Sequence, residues 1–469
     1  MKLRLIIFCM MISSLGFSQT NDEILTLDEC IRIALDNNLN YQNNQLDAQT
    51  ARANYKRSIN NLLPTINGSM NLGNSNGRSI DPYTNSYIDE SLTFSNANLG
   101  LNAIVFNGFR LLNTLKQTNL NYKAAEMDVE AARQDLMLNV TLGFLQVLSA
   151  RDLVALTEGR ITTSEGQVDR LKTLYDQEVG NPAEYRDLQG QFATDQASLI
   201  QARNTLKDAL LNLQQWMNTE MELDPDQMQL LIDASPYGYT PDEIYQEALK
   251  ELPSIKSGEL KVEAANKGVA VARSLYVPEL SFFANLNTNY SSAARIFTET
   301  GTMINPTGDY VSINGTNFDV FREQTSFTPE EIPFKDQFEN NVFSNFGLAI
   351  SIPLFNGFRA KNNVQLEKIK RSQAENTLNQ TKLEFRQFIK EAYYDMEAAS
   401  ERYEVLQTQV KAYEESFRIN EIRFNNGVTN SVEYIISKTN LDNARVNLAN
   451  VKYEYVLRQK ILDFFRGQI

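Results

Sequence analysis

Apolar positions recur at alternating spacings of four and three along two stretches of this chain. The first stripe runs Leu136, Val140, Gly143, Val147, Ala150, Val154, Thr157, Ile161, Ser164, Val168, Leu171 and Tyr175. The same spacing returns 249 residues later, from Phe385 and Ile389 through Met396, Ala399 and Val410 to Phe417 and Phe424. A 4,3 alternation is the seam of a coiled coil. Residues 108–178 and 357–425 contain no proline, so each predicts one helix of roughly 70 residues, about 105 Å at ~1.5 Å per residue. Breakers follow at Val179-Gly180-Asn181-Pro182 and Asn425-Asn426-Gly427-Val428, and shorter seams return from Tyr185 to Trp216 and from Tyr434 to Phe465. The prediction is two long antiparallel helical hairpins. Leu138, Leu142, Leu145 and Leu148 add a second stripe beside the first. A helix with two stripes touches a neighbour on each side, as in the wall of a tube.

A different period appears between the helices. The helical patterns of about 27–62 and 241–276 stop at Leu63-Pro64 and Val277-Pro278, because proline cannot continue a helix. Leu280, Phe282, Ala284 and Leu286 then alternate with Ser281, Phe283, Asn285 and Asn287. Ile66 to Leu72, Leu99 to Val105 and Val342 to Leu354 alternate likewise. Each half of the chain therefore predicts two strands of about ten residues, the length that crosses a bilayer when tilted. Their tips, 73–90 and 287–341, are polar and read as loops. Glu330-Glu331 falls in that second loop, between Pro329 and Pro333. Four strands cannot close a membrane barrel, for which about eight is the practical minimum, and open edges are not tolerated in lipid. Strands that span a membrane here must share one barrel among several chains.

Internal anchors show that the chain is written twice. FNGFR stands at Phe106 to Arg110 and at Phe355 to Arg359, an offset of 249. LDEC at Leu27 matches PDEI at Pro241, and Leu63-Pro64 matches Val277-Pro278, both at an offset of 214. The second half carries about 35 extra residues after Pro278. The expected organisation is a signal peptide over 1–18, a first repeat over 19–218, a connector over 219–240 and a second repeat over 241–469.

Composition narrows the function. Lys2 and Arg4, the apolar run Leu5 to Met11 and Gly16-Phe17-Ser18 make a secretory signal. Cys9 leaves with it, and Cys30, on an apolar helical face, has no partner for an intrachain disulfide. There is no histidine, which removes the commonest general base and metal ligand. A net charge of -14 argues against a nucleic-acid binder. No run of 18 apolar residues occurs, so no transmembrane helix is expected; a β-barrel is untouched by that test. No catalytic, cofactor-binding or metal-ligating constellation is found, so an enzyme is not expected and no cofactor is implied.

Signal, duplicated helix–strand–strand–hairpin order, SIPLFNGFR (Ser351 to Arg359) at a strand-to-helix junction and RFNNGVTNSVEY (Arg423 to Tyr434) at a hairpin tip together resemble the TolC family of outer-membrane efflux proteins. That resemblance implies a mainly α protein with membrane β: a periplasmic α-barrel of helical hairpins, and four strands per chain in a 12-stranded barrel shared by a homotrimer. It implies a cell outer membrane location extending into the periplasm, contact with outer-membrane lipid, and a periplasmic adaptor (membrane fusion) protein linking it to an inner-membrane RND or ABC transporter. The resemblance assigns adaptor docking to the tips Val179, Gly180, Asn181, Gly427, Val428 and Thr429, flanked by Arg170, Leu174, Arg418 and Ile422. It places a carboxylate of the pore constriction at Glu433, while the family's second acidic position matches Ile436. Glu184 is the repeat equivalent of Glu433. The function implied is a passive exit duct of a tripartite efflux or type I secretion system. An exported structural or adhesive coiled-coil protein is the alternative.

Overall fold

The computed structural model describes residues 25–80, 85–89, 91–229 and 237–468. The signal segment and Pro236 of the connector lie outside the described residues. In each half, two short helices lead into a strand pair and then a long hairpin. In the first half these are α1 (Leu27–Asn37), α2 (Leu39–Asn60), β1 (Thr65–Ser75), β2 (Arg78–Ile80), β3 (Tyr87–Asp89), β4 (Leu92–Phe106), α3 (Arg110–Asp176) and α4 (Pro182–Met217). In the second they are α5 (Pro241–Glu251), α6 (Pro253–Arg273), β5 (Glu279–Ser291), β6 (Arg295–Ile313), β7 (Thr316–Glu331), α7 (Phe334–Asn340), β8 (Phe343–Ser351), α8 (Arg359–Asn425) and α9 (Ser431–Phe465).

The helices begin where their caps dictate. Thr26 accepts the Glu29 amide at 3.3 Å, and its repeat equivalent Thr240 forms a full capping box with Glu243, satisfying amides that a first turn leaves free. The helical stretch over 27–62 is broken at Asn38, whose side chain accepts the Tyr41 amide at 3.0 Å and donates to the Trp216 carbonyl at 3.0 Å. Leu252-Pro253 breaks the equivalent stretch. Both long helices are 67 residues.

The chain divides into two compact units. One comprises the described residues of Met1–Ala53, Asn119–Ala264 and Arg371–Ile469, and the other Asn54–Thr118 and Ala265–Lys370. These units cut across the sequence repeat. In the helical unit every position of both long seams except Tyr175 is withdrawn from solvent. Cys30 and Ala34 of α1, Val140, Phe144 and Val147 of α3, Leu213 and Met217 of α4, and Val456 of α9 form one core. Ile244 and Ala248 of α5, Ile389 and Met396 of α8, and Leu462 and Phe465 of α9 form a second, and Leu138 of α3 packs against it. Helix α3 thus serves two different cores, with Leu145 and Leu148 of its second stripe joining the first and Leu138 the second. That double packing accounts for α3 being, among the described residues, the one helix apolar enough by length and composition to cross a membrane. Burial pushes the Cys30 thiol up to about 12, with the Glu29 charge adding to it, so this cysteine is an inert core group.

The other unit holds a four-stranded antiparallel sheet of order β1-β4-β5-β8. Both predicted loops contain strands. The first tip carries β2 paired with β3. The second carries the long β6–β7 ribbon, turned at Asn314-Gly315, both residues with positive φ (52° and 87°). Asn-Gly between alternating residues is the strongest short hairpin signal, and the abundance of polar residues around it concealed the turn. Glu330 and Glu331 are accordingly not loop residues: they end β7 opposite Ile296 and Arg295, and Glu331 pairs with Arg295 at 3.0 Å.

Candidate functional site

The sheet has two chemically different faces. Successive residues point to opposite sides, and the register sets Ile66, Leu101, Ala284 and Phe346 on one rung and Asn67, Gly100, Asn285 and Asn345 on the next. The apolar face is open: Phe346 is 78% exposed and Leu72 72%. The opposite face is an asparagine ladder in which Asn98 donates to Asn287 at 2.5 Å and Asn285 to Asn345 at 2.9 Å. An apolar exterior against a neutral, hydrogen-bonding interior is the dyad pattern of a membrane barrel wall. Among the described residues, β1 and β8 leave two unpaired edges.

Each FNGFR motif makes the corner from sheet to long helix. Gly108 and Phe109 have φ of 65° and 62°, and Gly357 and Phe358 of 61° and 59°. A bulky residue in that region is strained, yet both halves keep it. Phe106 and Phe109 pack edge to face at 5.4 Å, as do Phe355 and Phe358 at 5.5 Å. Exposed aromatic rings at a strand end suit the interfacial girdle of an outer-membrane barrel.

The hairpin tips come together at the far end of the long helices. Leu171, Tyr185, Leu188, Phe424 and Tyr434 form a small core there, with Leu174 packed on it. Arg170 donates to the Asn425 carbonyl at 2.6 Å and lies over the Phe424 ring, and Ser431 donates to Asp187 at 2.9 Å. Arg170 is therefore a tie between the hairpins. Arg418 pairs instead with Glu415 on its own helix. Val179, Val428 and Ile422 are exposed large apolar residues, while Gly427 takes a φ of 67°. Asn181 caps α4 and Asn430 caps α9, so Glu184 and Glu433 both sit in first turns, where acidic side chains are favoured. Thr429 donates to the Glu433 carboxylate. Replacing Arg170 with alanine is expected to speed amide exchange across 425–429 and leave α1–α2 unchanged; equal exchange would show that the tie does not hold the tip.

Above the tips lies a charged cluster that sequence reasoning did not assemble. Lys438 of α9, 2% exposed, donates to Asp195 of α4 and to Asp442, both at 2.8 Å. Arg160 of α3 approaches Asp195 at 3.3 Å and Asp442 at 3.1 Å. Ser164 and Gln191 also donate to Asp195. Burial by itself would raise the Asp195 pKa, but the hydrogen bonds from Lys438 and Ser164 and the charges of Lys438 and Arg160 outweigh it and hold it below the usual carboxylate range. The signal was present: Ser164 and Asp195 are polar residues at seam positions, and Lys438 and Asp442 are spaced i, i+4.

Strands with an open apolar face, paired corners and two long hairpins define an outer-membrane channel protomer. A family model described as "Outer membrane efflux protein" matches residues 30–219 and 244–467, and the chain belongs to that family. It is similar to outer membrane protein TolC of Escherichia coli (strain K12), 21% identical over 385 residues, covering 80% of this chain and 71% of TolC. Outer membrane efflux protein BepC of Brucella suis biovar 1 (strain 1330) is 23% identical over 343 residues, covering 72% of this chain and 62% of BepC. The crystal structure of the outer membrane protein VceC from Vibrio cholerae superposes with a TM-score of 0.75 at 14% identity, covering 94% of this chain and 96% of VceC. The chain is thus an outer-membrane efflux duct with a periplasmic extension, and the adhesive coiled-coil alternative is not favoured.

Proposed function

We propose that three copies of this chain close one 12-stranded barrel and conduct cargo passively from an inner-membrane RND or ABC transporter through a periplasmic adaptor. The observation that carries this reading is the four-stranded sheet with an exposed apolar face and two free edges, β1 and β8. Free edges in lipid are prohibitive, and threefold symmetry satisfies both at once. Energy for transport comes from the pump, and the duct contributes shape and field.

In this reading the two repeats, 19–218 and 241–469, supply equivalent walls, with the connector 219–240 as a band around them. The described part of that band is held to α3 by Arg151, which donates to the carbonyls of Pro225 and Met228 at 3.1 and 2.7 Å. The adaptor docks on the tips, where Val179 and Val428 offer apolar side chains to a partner. Glu184 and Glu433 of three chains place six carboxylates at the periplasmic constriction, which favours cations. Replacing both with glutamine in the full-length trimer is expected to abolish most of the cation preference measured in planar bilayers. Unchanged selectivity would remove these residues from the constriction.

A further inference from the structure

The internal repeat prescribes how one chain meets the next. Strand β4 maps onto β8 at an offset of 249, with Phe94-Ser95-Asn96 repeated as Phe343-Ser344-Asn345. Strand β1 maps onto β5 at 214, with Asn71-Leu72 repeated as Asn285-Leu286. The pairings within the chain test this mapping. In β1·β4, Leu72 stands opposite Ser95. The two offsets carry that pair to Leu286 and Ser344, which do stand opposite each other in β5·β8. The repeat therefore conserves register as well as sequence.

The third kind of neighbour within the chain is β4·β5, where Leu99 faces Leu286. Its repeat equivalent is β8 against β1, which this chain cannot make with itself, since they are the two ends of the sheet. Resting on the trimer reading above, we infer that β8 of one chain pairs with β1 of its neighbour in one register, with Leu348 opposite Leu72. Ile350 then faces Met70, Ala349 faces Asn71, and Ser351 faces Ser69.

Three further observations agree. This register sets Leu348 and Ile350, exposed on the apolar face, against Leu72 and Met70, exposed on the same face. A slip of one residue would oppose each of them to a lumen-facing polar or small residue. The corners show the same relation. A Cβ on Gly108 would fall 2.7 Å from that of Val277, whereas one on Gly357 meets open space. Leu63, the equivalent of Val277 and 65% exposed, fills that space from the neighbouring chain. At the rung where β4·β5 has the Asn98–Asn287 hydrogen bond, the seam has Gly347 opposite Gly73. The Phe283 and Phe94 rings crowd those two glycines from either side, each within 3.0 Å of a notional Cβ.

Paired cysteines in the full chain on a Cys30→Ala background test the register. Leu348→Cys with Leu72→Cys is compared with the two-residue offset pair, Leu348→Cys with Met70→Cys. Leu99→Cys with Leu286→Cys calibrates bridging within one chain, and Ile350→Cys with Met70→Cys replaces the first pair should that variant fail to assemble. Oxidation of the first pair is expected to give boiling-resistant covalent trimers, more than about tenfold over the offset pair, whose separation lies outside the bridging range. A trimer by light scattering in which the offset pair bridges, or neither does, overturns the register and leaves the trimer standing. A monomer before oxidation overturns the trimer reading itself.

Discussion

Replacing Lys438 with methionine is expected to destabilise the helical hairpins by about 3–5 kcal/mol, the usual cost of removing one partner from a buried ionic set. Asp195 and Asp442 would be left facing each other with Arg160 as the remaining cation. The measurement is the shift in the denaturant midpoint of the helical signal in detergent. Adding Asp195→Asn to that variant is expected to recover part of the loss, since Arg160 and Asp442 then form a balanced pair. A single variant within about 1 kcal/mol of wild type would show that the cluster is solvated, as exposed pairs are worth little.

The same cluster predicts a pH response with a definite sign. The folded pKa of Asp195 lies below its usual value, so its stabilisation is fully present above the unfolded value of about 3.9. It is lost as pH falls through the lower folded value. Arg160, Ser164, Gln191, Lys438 and Asp442 all face it. The hairpins should therefore stay joined through mild acid and loosen only below about pH 4.

The second large effect concerns the sheet. Phe346→Arg puts a charge in the middle of β8 on the open apolar face and is expected to cost about 2–4 kcal/mol in a bilayer. Asn345→Arg, one residue away on the asparagine face, is expected to assemble normally and to turn ion preference toward anions. Heat-modifiable trimer in outer-membrane fractions reads the first, and bilayer selectivity the second. Equal assembly of both variants would mean that the apolar face does not meet lipid.

Much of this molecule is legible in its residues because the strongest constraints are periodic. A 4,3 seam sustained over forty positions admits one structure, and α3 and α8 end within three residues of where their breakers stand. The four sheet strands followed from period-two alternation between Pro64 or Pro278 and FNGFR. The ribbon β6–β7 was hidden because both its faces carry polar residues, and only Asn314-Gly315 marked its turn. The break at Asn38 combines a local cap on the Tyr41 amide with a bond to Trp216, distant in sequence, and only the first is written in the local pattern. The Lys438 cluster shows the same limit: its members occupy three helices, and no single segment of sequence brings them together. At the tips, local sequence identified the turns, whereas the Arg170 tie to Asn425 required the two hairpins to be seen side by side.

The shared barrel is the centre of this account, and the mass of the mature protein in detergent tests it most directly. Light scattering corrected for bound detergent is expected to give three chains per particle. A monodisperse single chain that keeps its strand signature would contradict the account, because β1 and β8 would then lie unpaired in the membrane.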